Sequence, residues 1–213
     1  MITLKSMRKN GLILGAFAVI ATGLVVGIAK LTEAPIAAQQ RAELMNTLNV
    51  LIPPQRHDND LYHACRLIDA PELGGEQPKR LYIARLQQQA QAIAIEATAP
   101  NGYSGAIKLL VAINVDGSVA GVRVLQHNET PGLGDKIEHR KSDWIESFNG
   151  MTVRGDDDKR WAVQRDGGSF DQFTGATITP RAVVGAVART VSYVKQHQQQ
   201  LLSAQLARCS EAS

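Results

Sequence analysis

The sequence predicts an α+β fold: an antiparallel sheet packed by helices and preceded by one N-terminal transmembrane helix. Three patterns in the 213 residues carry this prediction. Residues 11–29 form an uncharged apolar run. From residue 81 onward, several short runs have the two-residue period of strands with one buried face. After Pro180, valines recur at helical spacing, which is typical of a helix packed on a sheet.

The apolar run at residues 11–29 has the length of a membrane span. At 1.5 Å per residue it reaches about 28 Å, close to the thickness of the hydrocarbon core of a bilayer. A cleaved signal peptide usually has a shorter apolar run and ends at a small-x-small site, which Ile28-Ala29-Lys30 does not provide. A buried core helix normally carries a polar stripe. We therefore expect a retained transmembrane helix.

Positively charged side chains flank this run unequally. Three of them, Lys5, Arg8 and Lys9, precede it, whereas only Lys30 follows closely. The positive-inside rule therefore predicts that residues 1–10 lie in the cytoplasm and that the chain after the helix lies outside it.

Residues 30–80 are predicted to form a juxtamembrane helix and an irregular segment. The helix covers residues 31–52 and ends at Pro53-Pro54, because proline interrupts helical hydrogen bonding. The turn-rich segment that follows contains His57 and His63. Their polar neighbours show no ligand spacing, which favours a solvated loop over a metal site, and no metal site is predicted.

The two cysteines, Cys65 and Cys209, are far apart and belong to no Cys-x-x-Cys motif. This excludes a structural zinc site or an iron–sulfur cluster built from the chain alone. Outside the cytoplasm the two residues can form one disulfide, but the sequence does not show whether they meet. Both outcomes stay open.

Four strands are predicted, at residues 81–86, 92–97, 106–115 and 119–125. The pair Asp116-Gly117 between the last two is a strong hairpin signal. The sequence Gly102-Tyr103-Ser104-Gly105 fits a turn between two strands. Trp144, Ile145 and Phe148 then suggest a short amphipathic helical turn over the core, and residues 161–163 have strand character. The run Asp156-Asp157-Asp158 lacks the alternating ligands of a calcium loop, which favours a solvated turn.

The last long element is the helix that follows residue 178. Thr179 is a plausible N-cap and Pro180 then takes the first helical position. The buried stripe of this helix is predicted to consist of five valines: Val183, Val184, Val187, Val191 and Val194. The helix is expected to fray near Leu202, and residues 206–213 form a tail.

A loop of small and hydroxyl-bearing residues, Asp171 to Thr177, lies just before this helix. Thr174 and Thr177 flank Gly175-Ala176, and small residues let another group approach the backbone. The free N–H groups of a helix N-terminus attract anions. The loop therefore suits a bound or covalently attached phosphate, and it also fits an ordinary helix-leading loop with capping hydroxyls.

The run Asp171-Gln-Phe-Thr-Gly-Ala-Thr177 resembles the Asp-x-x-(Ser/Thr)-Gly-Ala-Thr target of flavin transferases. These enzymes attach FMN through its phosphate to the last threonine. The resemblance therefore implies one covalent FMN on Thr177. It also implies that Asp171, Thr174, Gly175 and Ala176 belong to the sequence that the transferase reads.

A second run, Glu129-Thr130-Pro131-Gly132-Leu133-Gly134, resembles a loop of the flavin-bearing G subunits of bacterial Rnf (also called Rsx) complexes and of their relatives in the sodium-pumping NADH:quinone reductase. Related FMN-binding domains have a Gly-Tyr-x-Gly turn where this chain has residues 102–105. The resemblance implies that seven residues lie along the flavin: Glu129, Thr130, Gly132, Leu133, Gly134, Tyr103 and Ser104.

The resemblance to this family also implies a function. It implies a flavoprotein subunit of the bacterial inner membrane, with residues 81–205 as a periplasmic FMN-binding domain. Such a subunit carries electrons within a complex that couples ferredoxin/NAD electron transfer to ion translocation. Its partners are the other membrane subunits and, during maturation, a flavin transferase. The redox chemistry belongs to the cofactor, so no catalytic residue is expected.

Two other functions compete with this one. The C subunit of the sodium-pumping NADH:quinone reductase shares the flavin motif but is typically longer. An anchored, non-redox interaction module would use Thr177 only as a capping residue. A net charge of +3 without a basic, aromatic-interleaved run disfavours nucleic acid as a partner. The lack of a Rossmann glycine motif argues against direct oxidation of NADH by this chain.

Overall fold

The computed structural model describes residues 2–155, 157–203 and 206–209, with side chains from residue 7 onward. The chain divides into two compact units, Met1–Asn46 and Thr47–Ser213. The first unit consists of helix α1, which runs as one 50-residue helix over Ile2–Leu51 and continues into the second unit.

Helix α1 has the length and composition of a membrane span. Its stretch Met7–Leu51 includes an 18-residue window with a mean hydropathy of 2.5, none of it buried in the protein. The sequence suggested a membrane helix and a separate juxtamembrane helix, whereas the structure has one helix that continues through Pro35. The proline lacks only one backbone donor, and in a helix of this length the remaining hydrogen bonds hold the axis together.

The second unit is built on a five-stranded antiparallel sheet in which strand order follows chain order. This arrangement confirms the predicted fold class. The strands are β1 (Arg66–Ile68), β2 (Lys79–Leu86), β3 (Gln89–Gly102), β4 (Gly105–Asn114) and β5 (Val119–Gln126).

The four predicted strands correspond to β2 to β5, and the sequence missed β1. With only three residues, β1 is too short to show a two-residue period. The turn between β2 and β3 uses Gln87 and Gln88, whose φ angles are 50° and 66°. A two-residue hairpin turn of type I′ requires positive φ at both central positions. Asparagine, aspartate and glycine usually occupy them, so the two glutamines do not indicate such a turn in the sequence.

Helix α2, Ile178–Leu202, packs against β3 and buries all five predicted valines. The expected capping arrangement was wrong. Thr177, not Thr179, occupies the N-cap position, and Thr179 lies inside the first turn with its side chain fully buried. The hydroxyl of Thr179 donates instead to Glu129, which is 50 residues earlier in the chain, so it makes a tertiary contact and does not cap the helix.

Short 3-10 segments cover one end of the core. Trp144, Ile145 and Phe148 lie in the segment Asp143–Phe148 and are buried, as predicted. Phe148 and Phe170 pack with their ring centroids 4.5 Å apart. Residues 161–163 do not form the predicted strand, because only Val163 makes an isolated bridge, to Phe170.

A disulfide joins Cys65 to Cys209 across 144 positions of sequence, with a Cα–Cα distance of 5.5 Å. The alternatives that the sequence left open are thus decided in favour of pairing. Next to the disulfide, the N–H of Leu67 donates to the carbonyl of Ala207 at 2.9 Å. The C-terminal segment is thereby fixed along the outer edge of β1.

Candidate functional site

The loop before α2 is a tight turn anchored by two aromatic side chains. The N–H of Ala176 donates to the carbonyl of Phe173 at 3.1 Å, and Gly175 has φ +81°, as the third position of a type II turn requires. Phe173 is buried against Trp144, whose Nε1–H also donates to the carbonyl of Asp171 at 2.8 Å. The turn is therefore held from beneath, while its tip is exposed.

Thr177 sits where this loop meets α2. It occupies the N-cap position with φ −79° and ψ −22°, and its side chain makes no capping hydrogen bond. The residue is half-buried, and the next residue, Ile178, is 47% exposed. The hydroxyl of Thr177 is thus not used in capping and lies at a helix end that favours negative charge.

Glu129 connects three segments of the site. It is only 4% exposed, and its Oε1 accepts from the backbone N–H of Ser104 at 3.0 Å. Its Oε2 accepts from the buried hydroxyl of Thr179. One carboxylate therefore joins the β3–β4 turn, the glycine-rich loop and the first turn of α2.

The glycine-rich loop 129–134 packs closely on this carboxylate. The carbonyl of Thr130 accepts from the N–H groups of Leu133 and Gly134, both at 3.1 Å. A Cβ atom on Gly134 would lie 2.7 Å from Oε2 of Glu129, so a larger residue does not fit there. A Cβ atom on Gly175 would lie 3.4 Å from Cδ2 of Leu133, which puts the two loops side by side.

A histidine on the other side of the same loop fixes its backbone. The N–H of Glu129 donates to Nδ1 of His127 at 3.0 Å, and Nε2 of His127 lies 2.8 Å from Oε1 of Glu138. Because Nδ1 accepts, the ring carries its proton on Nε2. Burial raises the pKa of Glu138, but hydrogen bonds from Arg140 and His127 outweigh it and lower the pKa overall. The charged carboxylate is thereby favoured as an acceptor for His127.

Apolar side chains stand exposed around this junction. Tyr103 is 68% exposed and Leu133 is 42% exposed, and Ile178 adds a third apolar side chain next to Thr177. Large apolar side chains that are left in water near a polar site commonly mark a binding surface.

The three segments that the sequence identified thus meet at the start of α2: the turn at 103–104, the loop at 129–134 and the loop at 171–177. The hydrogen bond between Ser104 and Glu129 and the close approach of the Leu133 side chain to Gly175 bring them together. Sequence reasoning missed Thr179 as the partner of Glu129, as well as Trp144 and Ile178. No spacing in the sequence links Thr179 to an acid 50 residues earlier.

An open cleft of about 560 Å³ borders the Asp171 side of the loop. Asp171 and Phe173 line it from the loop, and Trp144 and Ser147 line it from the 3-10 segment over the core. The residues before the turn are therefore accessible from the side as well as from the tip.

No group of three potential metal ligands occurs among the residues that the structure describes. Nδ1 of His63 lies 2.7 Å from Oδ2 of Asp60, and His57 contacts the carbonyl of Asn59. In the acidic run, Arg160 binds Asp158 and lowers the pKa of its carboxyl. Asp156 lies outside the described residues.

Two family models match the chain. A model described as an FMN-binding domain matches residues 102–192, which include all three segments of the candidate site. A model described as the RnfG N-terminal region matches residues 1–51.

Curated relatives match the chain over nearly its whole length, and each is named as the G subunit of an ion-translocating oxidoreductase complex. The relative from Vibrio atlanticus is 53% identical over 200 residues, covering 94% of this chain and 96% of the relative. The one from Shewanella piezotolerans is 54% identical over 201 residues, covering 94% and 95%. The one from Vibrio cholerae O395 is 54% identical over 198 residues, covering 93% and 95%.

Proposed function

The chain belongs to the family of G subunits of ion-translocating oxidoreductase complexes, and we propose that it carries electrons through one FMN attached by its phosphate to Thr177. Membership makes it a membrane-anchored flavoprotein subunit of such a complex. The relatives carry the G-subunit name, which favours this family over the C subunit of the sodium-pumping reductase. The observation that carries the attachment site is the hydroxyl of Thr177, which is not used in capping and lies at the end of α2.

Thr177 has the properties that an attachment residue needs. Its oxygen forms the phosphoester, and the N-terminus of α2 stabilises the remaining negative charge by about 0.3–1 kcal/mol. The neighbouring Gly175 and Ala176 add little bulk, and Gly132 has open space where a Cβ atom would be. The residues present therefore fit a phosphate with a large group attached to it.

The exposed part of the loop is the sequence that a flavin transferase reads. Asp171, Thr174 and Gly175 are exposed, and Ala176 is half-buried. The hydrogen bond from Trp144 holds the backbone carbonyl of Asp171 and does not use its carboxylate. A separate enzyme can thus reach the acceptor hydroxyl without unfolding the domain.

The remaining site residues divide into two groups. Tyr103 and Leu133 offer exposed apolar surface to the flavin ring. Ser104 follows Tyr103, and Thr130 and Gly132 belong to the same loop as Leu133; all three are exposed. Glu129 and Gly134 hold the loops in position, since both oxygens of Glu129 already accept from protein groups. FMN, when bound, supplies the redox-active ring, and the protein supplies its place and its electrostatic surroundings.

We also propose the topology of the chain in the membrane. Residues 11–29 span the inner membrane, residues 1–10 are cytoplasmic, and residues 30–80 connect the helix to a periplasmic domain at 81–205, with 206–213 as a tail. The charge bias around the apolar run supports this orientation. The disulfide between Cys65 and Cys209 supports it independently, because disulfides persist in the periplasm and are rare in the cytoplasm.

In the complex, the subunit passes electrons between neighbouring membrane subunits and is not an enzyme by itself. The complex couples electron transfer between ferredoxin and NAD to ion translocation. The long exposed apolar face of α1 supports assembly with other subunits in the bilayer, as does the family to which the chain belongs.

In-gel fluorescence tests the attachment directly. The chain is co-expressed with a flavin transferase, denatured and separated by electrophoresis, and the wild-type band is expected to fluoresce. Thr177→Ala should abolish the fluorescence. Thr174→Ala removes a hydroxyl from the sequence that the transferase reads but not from the acceptor, so it should affect the fluorescence less directly than Thr177→Ala does. A fluorescent Thr177→Ala band contradicts the assigned site, and a dark wild-type band beside a fluorescent control substrate contradicts covalent attachment.

Orientation is tested separately with a protease added to cells whose outer membrane has been permeabilised. Digestion of residues 31–213 is expected. Protection of this region, with the inner membrane intact, contradicts the proposed topology.

A further inference from the structure

Two buried acidic side chains lie beneath the candidate flavin site. Glu129 is 4% exposed and Asp135 is 5% exposed. Among the residues whose side chains the structure describes, these are the only acids that are buried as whole residues. They are six positions apart, at the start of the glycine-rich loop and just after it.

The contacts of these two groups compensate their negative charge only in part. The two groups that contact the carboxylate of Glu129, a backbone N–H and a hydroxyl, are both neutral. Asp135 has Nζ of the half-exposed Lys141 at 3.7 Å from Oδ2, while its buried Oδ1 has no hydrogen-bond partner. The N-terminus of α2 adds only about half a positive charge.

The chain segment that carries both acids lies close to the attachment residue. Glu129 binds Thr179, which is two residues beyond Thr177. Gly134, which precedes Asp135, is so close that an added Cβ would be 3.0 Å from Oγ1 of Thr179. The acidic segment therefore packs directly on the turn of α2 that begins at the attachment point.

Buried charges act differently from surface charges. Water and salt screen an exposed carboxylate strongly, whereas a carboxylate shielded from water keeps most of its field. Reducing a flavin adds negative charge, and a fixed negative charge nearby opposes that addition. Two such groups therefore favour the oxidised form of a flavin bound at this site.

We propose that Glu129 and Asp135 are potential-setting residues, which hold the midpoint potential of the flavin low. The inference rests on the proposed function, since it needs a flavin at Thr177. Glu129 then acts through its charge as well as by joining the loops, and Asp135 acts through its charge.

A redox titration of the full chain tests this inference. Wild type, Glu129→Gln and Asp135→Asn are loaded with flavin by co-expression with the transferase, purified in detergent and titrated with dithionite and mediator dyes. Each substitution removes one charge and nearly preserves side-chain size, so each should raise the midpoint potential. The shift should persist when salt is raised from about 0.1 M to about 1 M, which shortens the screening length from about 10 Å to about 3 Å.

Two further variants separate charge from structure. Glu96→Gln makes the same chemical change on β3, six residues before Gly102 and thus about 20 Å along the strand from the Glu129 contact, and should leave the potential unchanged. Thr179→Val breaks the contact to Glu129 but keeps the charge, so its potential should stay below that of Glu129→Gln.

Unchanged potentials in flavin-loaded Glu129→Gln and Asp135→Asn would overturn the proposal. An equal rise in Glu96→Gln, an equal rise in Thr179→Val, or a shift that disappears in high salt would do the same. Failure of the proposed function is seen separately, as wild-type protein without bound flavin before any variant is compared.

Discussion

The buried contact between Thr179 and Glu129 makes a quantitative prediction about stability. Thr179→Val nearly preserves the shape of the side chain and removes the hydroxyl that donates to Oε2 of Glu129. Because the acceptor is charged and is left buried without this donor, the free energy of unfolding should fall by about 1.5–3 kcal/mol. For a domain of this size, such a loss lowers the melting temperature by about 3–12 °C.

The same helix supplies a matched control. Thr190 is also fully buried, and its hydroxyl donates to the neutral carbonyl of Ala186 at 2.7 Å. Thr190→Val should therefore cost about 1 kcal/mol or less, since a neutral hydrogen bond contributes less and valine is itself apolar. Urea unfolding of the full chain in detergent, followed by circular dichroism, measures both variants.

If Thr179→Val lowers the free energy of unfolding no more than Thr190→Val does, the hydroxyl of Thr179 does not stabilise a buried charge on Glu129. A double-mutant cycle of Thr179→Val with Glu129→Gln adds a direct measure of the pair, because residues in contact show a coupling energy that separated residues lack. Additive effects of the two substitutions would show that the carboxylate and the hydroxyl do not act together.

Three further predictions concern the stability of the folded domain. Gly175→Ala should destabilise the chain by about 1–2 kcal/mol, because Gly175 has φ +81°. Gly185→Ala, inside α2, should stabilise it by about 0.5–1 kcal/mol, and thermal unfolding compares the two variants. Replacing Cys65 and Cys209 by serine removes a disulfide that spans 144 positions, and the free energy of unfolding measured in urea should fall by about 2–5 kcal/mol. Adding a reductant to the wild type should cause the same loss. A hydrogen bond from Arg181 lowers the pKa of Asp166 below its ordinary value of 3.8. The ionised Asp166 therefore stabilises the folded state fully at pH values above 3.8, and this stabilisation disappears as the pH falls. Asp166→Asn should therefore lose less stability than wild type between about pH 5 and about pH 2, and equal losses would contradict this.

The main elements of the fold could be predicted because their signals are local. The pair Asp116-Gly117 marked the β4–β5 hairpin, and the valine stripe marked the buried face of α2. The strand β1 was not predicted because it has only three residues and forms by pairing with β2. The disulfide was left open because sequence separation says nothing about whether two distant cysteines meet.

The candidate site was predictable as three segments but not as a set of contacts. The motif at residues 171–177 and the glycine-rich loop were recognised from their residues. The role of Thr179 was wrong, because capping rules consider only neighbours in sequence. A buried carboxylate 50 residues away binds its hydroxyl instead. The burial of Asp135 was equally hidden, since an acid that follows Gly-Leu-Gly reads as a surface residue.

Peptide mapping by mass spectrometry identifies the residue that carries the FMN. The chain is co-expressed with the transferase, digested, and its fragments are sequenced by tandem mass spectrometry. We predict that the fragment containing Asp171–Thr177 gains the mass of FMN less one water, with the added mass on Thr177. An unmodified fragment from fully flavin-loaded protein, or a modification located on Thr174, would contradict attachment at Thr177.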